Sequence, residues 1–349
     1  MTEDKGILIK NIYYMLAYAF QILHQSDYEE LAAEDFDNIY DMFAAILGKS
    51  VARQLKQGLY CAYVDKTEDL HTLRGKLDMS GTLRKRQQQK QVLTCVYDEL
   101  SENNIFNQIL KTTMFYLLKK DNIPKKRRTL LKKNLLLFGN VDILEPSSIR
   151  WNLIRFQRNN QSYRVLMHVC HLVLDGLLLS TDKGNVKWAT FIDEQRMCRL
   201  YEKFILEYYR YHHPQLRPCA SQIPWDLDDA VSDFLPVMQT DITLYFPDEI
   251  RIIDAKYYAH TMQNYYDTQT IHSNNLYQIY TYVKNLDKKH TGKVSGMLLY
   301  AKTKEQIQPN QVYSMGGNQI IVKTLDLNRP FSEIVSQLEE IARTRNGDD

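Results

Sequence analysis

Asp241, Asp254 and Lys256 are the residues whose types and spacing could do chemistry. They lie in the stretch Pro236–Tyr258, where two apolar, β-branched runs flank a Pro-Asp-Glu break. That pattern predicts a β-hairpin, or at least two adjacent strands. Side chains alternate faces along a strand, so Asp254 and Lys256 project from the same face. Two carboxylates and an ammonium converging at the end of a small sheet could hydrolyse a phosphodiester with the help of Mg2+. Magnesium prefers hard oxygen ligands and keeps several waters. Asp241 and Asp254 are suitable ligands, and the backbone carbonyl of Ala255 between Asp254 and Lys256 could add another. Lys256 could orient the attacking water or neutralise charge developing on the phosphate. The competing reading is a structural Asp254–Lys256 ion pair at a strand end. Against it, a carboxylate in an apolar strand is costly unless it has a task.

Two further features extend the set. Glu202 falls within a helical pattern upstream and could supply a third carboxylate, or be an exposed helix glutamate. Gln278 and Tyr282 stand four residues apart, on one face of a helix downstream. They could hold the nucleophilic water and the DNA backbone, or form an ordinary surface pair. His168 and His171 have a metal-compatible spacing but no third ligand nearby, so packed or surface histidines are the better reading. The five cysteines form no CxxC pair, which argues against a zinc ribbon or disulfide framework and for reduced thiols in a cytoplasmic protein. Gly-x-x-x-x-Gly-Lys-Ser/Thr is absent, so no nucleotide is expected on a Walker motif. No signal peptide and no apolar run of membrane-spanning length is found.

The elements that must position these residues follow from periodicity. Helices are expected over residues 7–23, with Asn11 as N-cap, and over 35–57, 103–120, 165–179, 193–211, 275–286 and 331–345. Strands are expected at 59–64, 92–97, within 236–258, at 294–300 and at 319–325, with residues 259–273 as a polar loop. The order α-β-β-α-β-(β)-α after residue 193 implies a mixed sheet flanked by helices. The sequence loosens around 145–165, the expected domain boundary.

The chain has 349 residues, 44% hydrophobic and 25% charged, an ordinary globular balance. Its net charge of +2 is unevenly spread: −7 over residues 1–48, +13 over 49–165 and −4 over 166–349. The half bearing the carboxylates is therefore slightly acidic, awkward for a protein holding DNA unaided. The basic runs Arg84-Lys85-Arg86 and Lys125-Lys126-Arg127-Arg128 are either solvated faces or phosphate contacts.

Several motifs, in this order, resemble a known family. They are Asn11-Ile12-Tyr13-Tyr14-Met15-Leu16-Ala17-Tyr18-Ala19, Gly75-Lys76-Leu77-Asp78, Leu200-Tyr201-Glu202-Lys203-Phe204, Leu235-Pro236-Val237-Met238-Gln239-Thr240-Asp241-Ile242, Ile253-Asp254-Ala255-Lys256-Tyr257-Tyr258 and Asn275-Leu276-Tyr277-Gln278. Together they resemble McrC, the nuclease subunit of McrBC modification-dependent restriction systems, over nearly the whole chain. The resemblance implies an α+β protein: an N-terminal mixed α/β partner-binding domain over residues 1–160, then a PD-(D/E)xK endonuclease domain over 161–349 with a central mixed sheet flanked by helices. It implies Mg2+, with Mn2+ as a substitute, held by Asp241, Asp254, Ala255 and Glu202. Catalysis would involve Asp241, Asp254, Lys256, Gln278, Glu202 and Tyr282. The implied partners are double-stranded DNA and a hexameric AAA+ GTPase, McrB, which recognises methylated or hydroxymethylated cytosine and whose GTP hydrolysis is stimulated by the N-terminal part. Arg74, Lys76, Arg84, Lys85 and Arg86 are the expected partner or DNA contacts, with the Gly75 neighbourhood favoured. Two other readings stay open: a non-cleaving regulatory subunit of the motor, and a self-sufficient RecB-like repair nuclease. The scattered cysteines argue against an iron–sulfur form of the latter.

Overall fold

The computed structural model describes all residues except 1–2, 5–6, 21–30, 32, 161, 182–193, 229–232, 258–261, 266–267, 303–308 and 344–349. Tyr258, Asp193, residues 21–23 of the first expected helix and 344–345 of the last thus lie outside the described residues. The chain divides into two units, one of residues 43–182 and one combining 1–42 with 183–349. This differs from the expected linear split at residue 160.

Residues 1–42 begin with the short antiparallel pair β1 (Glu3–Asp4) and β2 (Ile7–Leu8), followed by α1 (Ile9–Ala19). Asn11 is not the N-cap expected of it. It sits inside α1, 2% exposed, and its amide donates to the carbonyls of Leu327 and Arg329, both at 2.7 Å. Tyr14 stacks on Phe331 at 4.0 Å, and Tyr18 meets Tyr208 at 5.4 Å. The aromatic side of α1 is therefore completed by residues some 200 to 300 positions downstream, which is why the N-terminal segment belongs to the second half of the chain.

The other unit contains most of α2 (Ile39–Gln57), β3 (Ala62–Leu70), β4 (Lys76–Leu77), α3 (Met79–Gln87), β5 (Leu93–Ser101), α4 (Ile105–Leu118), α5 (Lys125–Leu136) and α6 (Tyr163–Thr181). Its sheet has the antiparallel order β3-β5-β4. Gly75 enters β4 at φ +67°, and a Cβ there would stand 2.5 Å from the Val96 carbonyl oxygen, so only glycine fits. Asn104 caps α4 by accepting from the Phe106 and Asn107 amides. The basic run 125–128 opens α5, but Arg128 is turned inward, donating to the carbonyl of Leu118 at the end of α4 and to those of Lys120 and Ile123 just past it. It serves as a cap for α4 rather than as a phosphate contact. His171 stacks on Trp151 at 4.1 Å, as a packed histidine does.

The remaining elements are α7 (Glu194–His212), β6 (Gln222–Ile223), β7 (Met238–Gln239), β8 (Ile242–Tyr245), β9 (Ile250–Lys256), β10 (Met262–Tyr265), β11 (Thr268–Ile271), α8 (Ser273–Leu286), β12 (Val294–Ala301), β13 (Gln311–Met315), β14 (Asn318–Leu325) and α9 (Phe331–Ala342). Five strands form a mixed sheet in the order β13-β14-β12-β9-β8. β12 runs parallel to β9 and β14, whereas β8 and β13 are antiparallel edges. The expected hairpin is β8–β9. The expected polar loop 259–273 instead contains the antiparallel pair β10–β11, and edge strand β13 was not anticipated. Helix α8 covers one face through Ile279, Tyr282 and Val283 against Ile252, Leu298, Ile320 and Val322. A Cβ on Gly296 would meet Ile279 Cγ1 at 2.6 Å, so the small residue sets the helix-to-sheet distance. Helix α7 packs against β9 and β8, and Tyr209 of α7 donates to the Leu338 carbonyl of α9 at 3.0 Å.

Candidate active site

The candidate site forms where β8 stops pairing with β9. Ile242 is the last partner of Ile253, so the register carried one residue further sets Asp241 beside Asp254. Asp241 then takes over the edge of β9, its Oδ2 accepting the Ala255 amide at 2.8 Å. A strand residue directs its N–H and C=O to the same side. The Ala255 carbonyl thus also faces the side that β8 has vacated.

Asp254 is buried, and Lys256, two residues on, lies with its Nζ 2.8 Å from Asp254 Oδ2. The approach is an ion pair rather than an aligned hydrogen bond, and neither oxygen of Asp254 has a conventional donor. Lys256 is steered by Gln278, whose Oε1 accepts from Nζ at 3.3 Å. The amide of Gln278 donates in turn to the Tyr282 hydroxyl at 2.8 Å. The i,i+4 spacing on α8 puts both residues on the sheet-facing side. Tyr282 is buried and Gln278 half-buried, and Gln278 links the Tyr282 hydroxyl to Lys256.

Electrostatics draw Glu202 into the same site. Burial pushes its carboxyl up to about 7, with Asp241 adding repulsion and Lys256 and Arg199 opposing it. Burial likewise raises Asp241, while Lys256 and the Ala255 amide counter it. Asp254 is raised by burial to about 7, its Lys256 partner lowering it and Asp241 raising it. Asp254 has Lys256 at contact distance, while Asp241 and Glu202 feel that ammonium only through space, which leaves the site short of positive charge. The donor-poor oxygens of Asp254, the adjacent Asp241 and the ladder-free Ala255 carbonyl fit a hard divalent cation. Among the described residues no three Asp, Glu, His or Cys side chains stand together as a ready-made metal cage.

The structure thus brings together Asp241, Asp254, Ala255, Lys256, Gln278 and Tyr282, with Glu202 in electrostatic reach. The five expected basic contacts all belong to the other unit. There Arg74 lies over the Tyr97 ring, 3.9 Å from its centre, and Lys85 pairs with Asp69 at 2.6 Å. Lys76, Arg84 and Arg86 are exposed. Sequence reasoning does not single out Arg199, one turn before Glu202 on α7; its three-residue spacing from Glu202 is the available signal. No helix among the described residues is long and apolar enough to cross a membrane.

Comparison with known proteins places this geometry in a family. The family model for McrBC 5-methylcytosine restriction system components matches residues 3–301. The type IV methyl-directed restriction enzyme EcoKMcrBC of Escherichia coli (strain K12) is 26% identical over 343 residues, covering 97% of this chain and 98% of that protein. A solved half-complex of Thermococcus gammatolerans McrB AAA+ hexamers with bound McrC is similar in fold. Its TM-score is 0.52 at 18% identity, covering 96% of this chain and 75% of that one. The resemblance read from the motifs is borne out: the chain belongs to the McrBC 5-methylcytosine restriction system components.

Proposed function

We propose that this chain is the Mg2+-dependent endonuclease subunit of a two-component, GTP-driven restriction system directed to modified cytosine, and that it also stimulates GTP hydrolysis by its AAA+ partner. The observation that carries the reading is the buried Asp254, paired with Lys256 at 2.8 Å and set beside the half-buried Asp241 at the open end of the β8–β9 hairpin. A carboxylate 1% exposed and without an aligned donor is expensive unless a cation is to occupy the site. The E. coli relative is a methyl-directed restriction enzyme, and the Thermococcus complex joins McrB AAA+ hexamers to McrC. A hexameric AAA+ GTPase resembling McrB is accordingly the proposed partner, with double-stranded DNA as substrate.

Asp241, Asp254 and the Ala255 carbonyl would hold Mg2+, with Glu202 as a further carboxylate and Mn2+ as a substitute. When bound, the metal supplies Lewis-acid polarisation of the phosphoryl group and activation of water. Lys256 brings a fixed ammonium to the charge that develops on the phosphoryl oxygens. Gln278 and Tyr282 hold that ammonium in place. The exposed basic residues of the other unit, Arg74, Lys76, Arg84 and Arg86 above all, are the proposed surface for the partner or DNA, around the Gly75 turn. Asp254→Ala should abolish cleavage of modified DNA by the complex while leaving stimulation of the partner's GTP hydrolysis intact. Cutting that survived this substitution would overturn the site assignment.

A further inference from the structure

The unit that bears the carboxylates is poor in positive charge, and most of its basic side chains near the sheet are already committed. Lys256 pairs with Asp254, Lys302 with Asp326 at 2.7 Å and Lys323 with Glu340 at 2.6 Å. Arg251 is buried and bonded to Glu249 and the Ile341 carbonyl. Lys203 lies over the Phe20 ring. Lys284 bonds Gly316 and Asn318.

Arg199 is different. It is exposed, and it has no ion-pair partner among the described residues. Its place on α7 is pinned: the neighbouring Cys198 thiol donates to the Tyr257 carbonyl at 2.9 Å, one residue beyond Lys256. This fixes that turn of α7 at the carboxyl end of β9. Glu202 follows Arg199 by three residues, on the same side of the helix. The guanidinium therefore stands at the rim of the carboxylate cluster, outside its buried part. An exposed guanidinium offers several donors in a fixed fork that matches a phosphate.

We propose that Arg199 binds a DNA backbone phosphate next to the scissile one, and so positions the substrate strand over Asp241 and Asp254. This rests on the endonuclease reading above. A strand drawn to Asp241 and Asp254, with Glu202 in electrostatic reach, is otherwise repelled, so the site needs a cation of its own even where a partner delivers the DNA.

The test uses the complex with its GTPase partner, Mg2+ and DNA containing modified cytosine, in single-turnover cleavage. Arg199→Ala should slow cleavage about tenfold or more, the loss expected for one charged hydrogen bond to phosphate. Arg199→Lys, which keeps the charge but not the fork, should recover part of the rate and the parent's salt slope. The slope of log rate against log salt should become shallower in Arg199→Ala by about 0.9, one phosphate contact. GTP hydrolysis should not change. An unchanged rate overturns the proposal. So does an unchanged salt slope with a displaced pH profile, which would mean that Arg199 acts only by keeping Glu202 ionised. Cleavage persisting in Asp254→Ala would instead strike at the endonuclease reading, so the two failures are distinguishable.

Discussion

Replacing Asp254 with Asn should stabilise the metal-free protein while destroying its activity. The Asp254 carboxyl ionises near 3.8 in a free chain and near 7 in the fold, where burial is the largest cause and Lys256 opposes it. The sign follows from proton linkage. Below pH 3.8 both states hold the proton, and the buried carboxyl carries no penalty relative to the unfolded chain. As pH rises toward 7, the unfolded chain releases its proton and the folded chain does not, so stability is lost across that window. About three pH units at 1.36 kcal/mol each set a ceiling of about 4 kcal/mol. The attraction of Lys256 is already contained in that shift, and repacking around the amide keeps the gain below the ceiling, at about 2 kcal/mol or more. In a thermal melt at pH 8 without divalent metal, Asp254→Asn should therefore melt about 4 °C higher than the parent. The difference should shrink as the pH approaches 4. Adding Mg2+ should raise the parent's melting temperature through binding to the folded state and leave the variant nearly unmoved. A variant that melts lower than the parent at pH 8, or a gain that is the same at pH 4.5 and pH 8, would refute this account of the site.

At Glu202, raised to about 7 by burial, protons should compete with metal for the carboxylate. The Mg2+ concentration that half-saturates cleavage should rise between pH 8 and pH 6, and Glu202→Gln should flatten that dependence, as read from metal titrations of cleavage rate. Asn11→Ala leaves the buried Leu327 carbonyl, and the part-buried one of Arg329, short of a donor and should cost about 1–3 kcal/mol, measured by denaturant unfolding. Gly296→Val should drive side-chain atoms into Ile279 and Val283 and cost roughly 1–3 kcal/mol in the same assay; a neutral result would mean that α8 is not closely seated on β12.

The parts of this fold legible in the sequence were those governed by local pattern. The alternation around the Pro-Asp-Glu break announced β8–β9, and its register alone put Asp254 and Lys256 on one face. Gln278 and Tyr282 were legible because helical spacing is fixed by backbone geometry. Asn11 was misread because a short polar residue before an apolar run looks like a cap; its true partners are carbonyls near residue 328, which no local window contains. The polar run 259–273 hid β10 and β11, since an antiparallel pair with polar side chains shows no hydrophobic alternation. Arg128 read as a surface charge, yet it closes the carbonyl end of a helix lying earlier in the chain.

By itself the sequence determined the chemistry on offer: two strand carboxylates, one lysine two residues on, a helical glutamate and a Gln-x-x-x-Tyr pair, in an order shared with a family. Only the tertiary structure decided how these groups act on one another. The ending of β8 frees the Ala255 amide for Asp241, and α8 turns Gln278 onto Lys256. The layers of the sheet strip water from Asp254. Ionisation depends on burial and on charges brought from distant positions, and those are properties of packing that no spacing along the chain encodes.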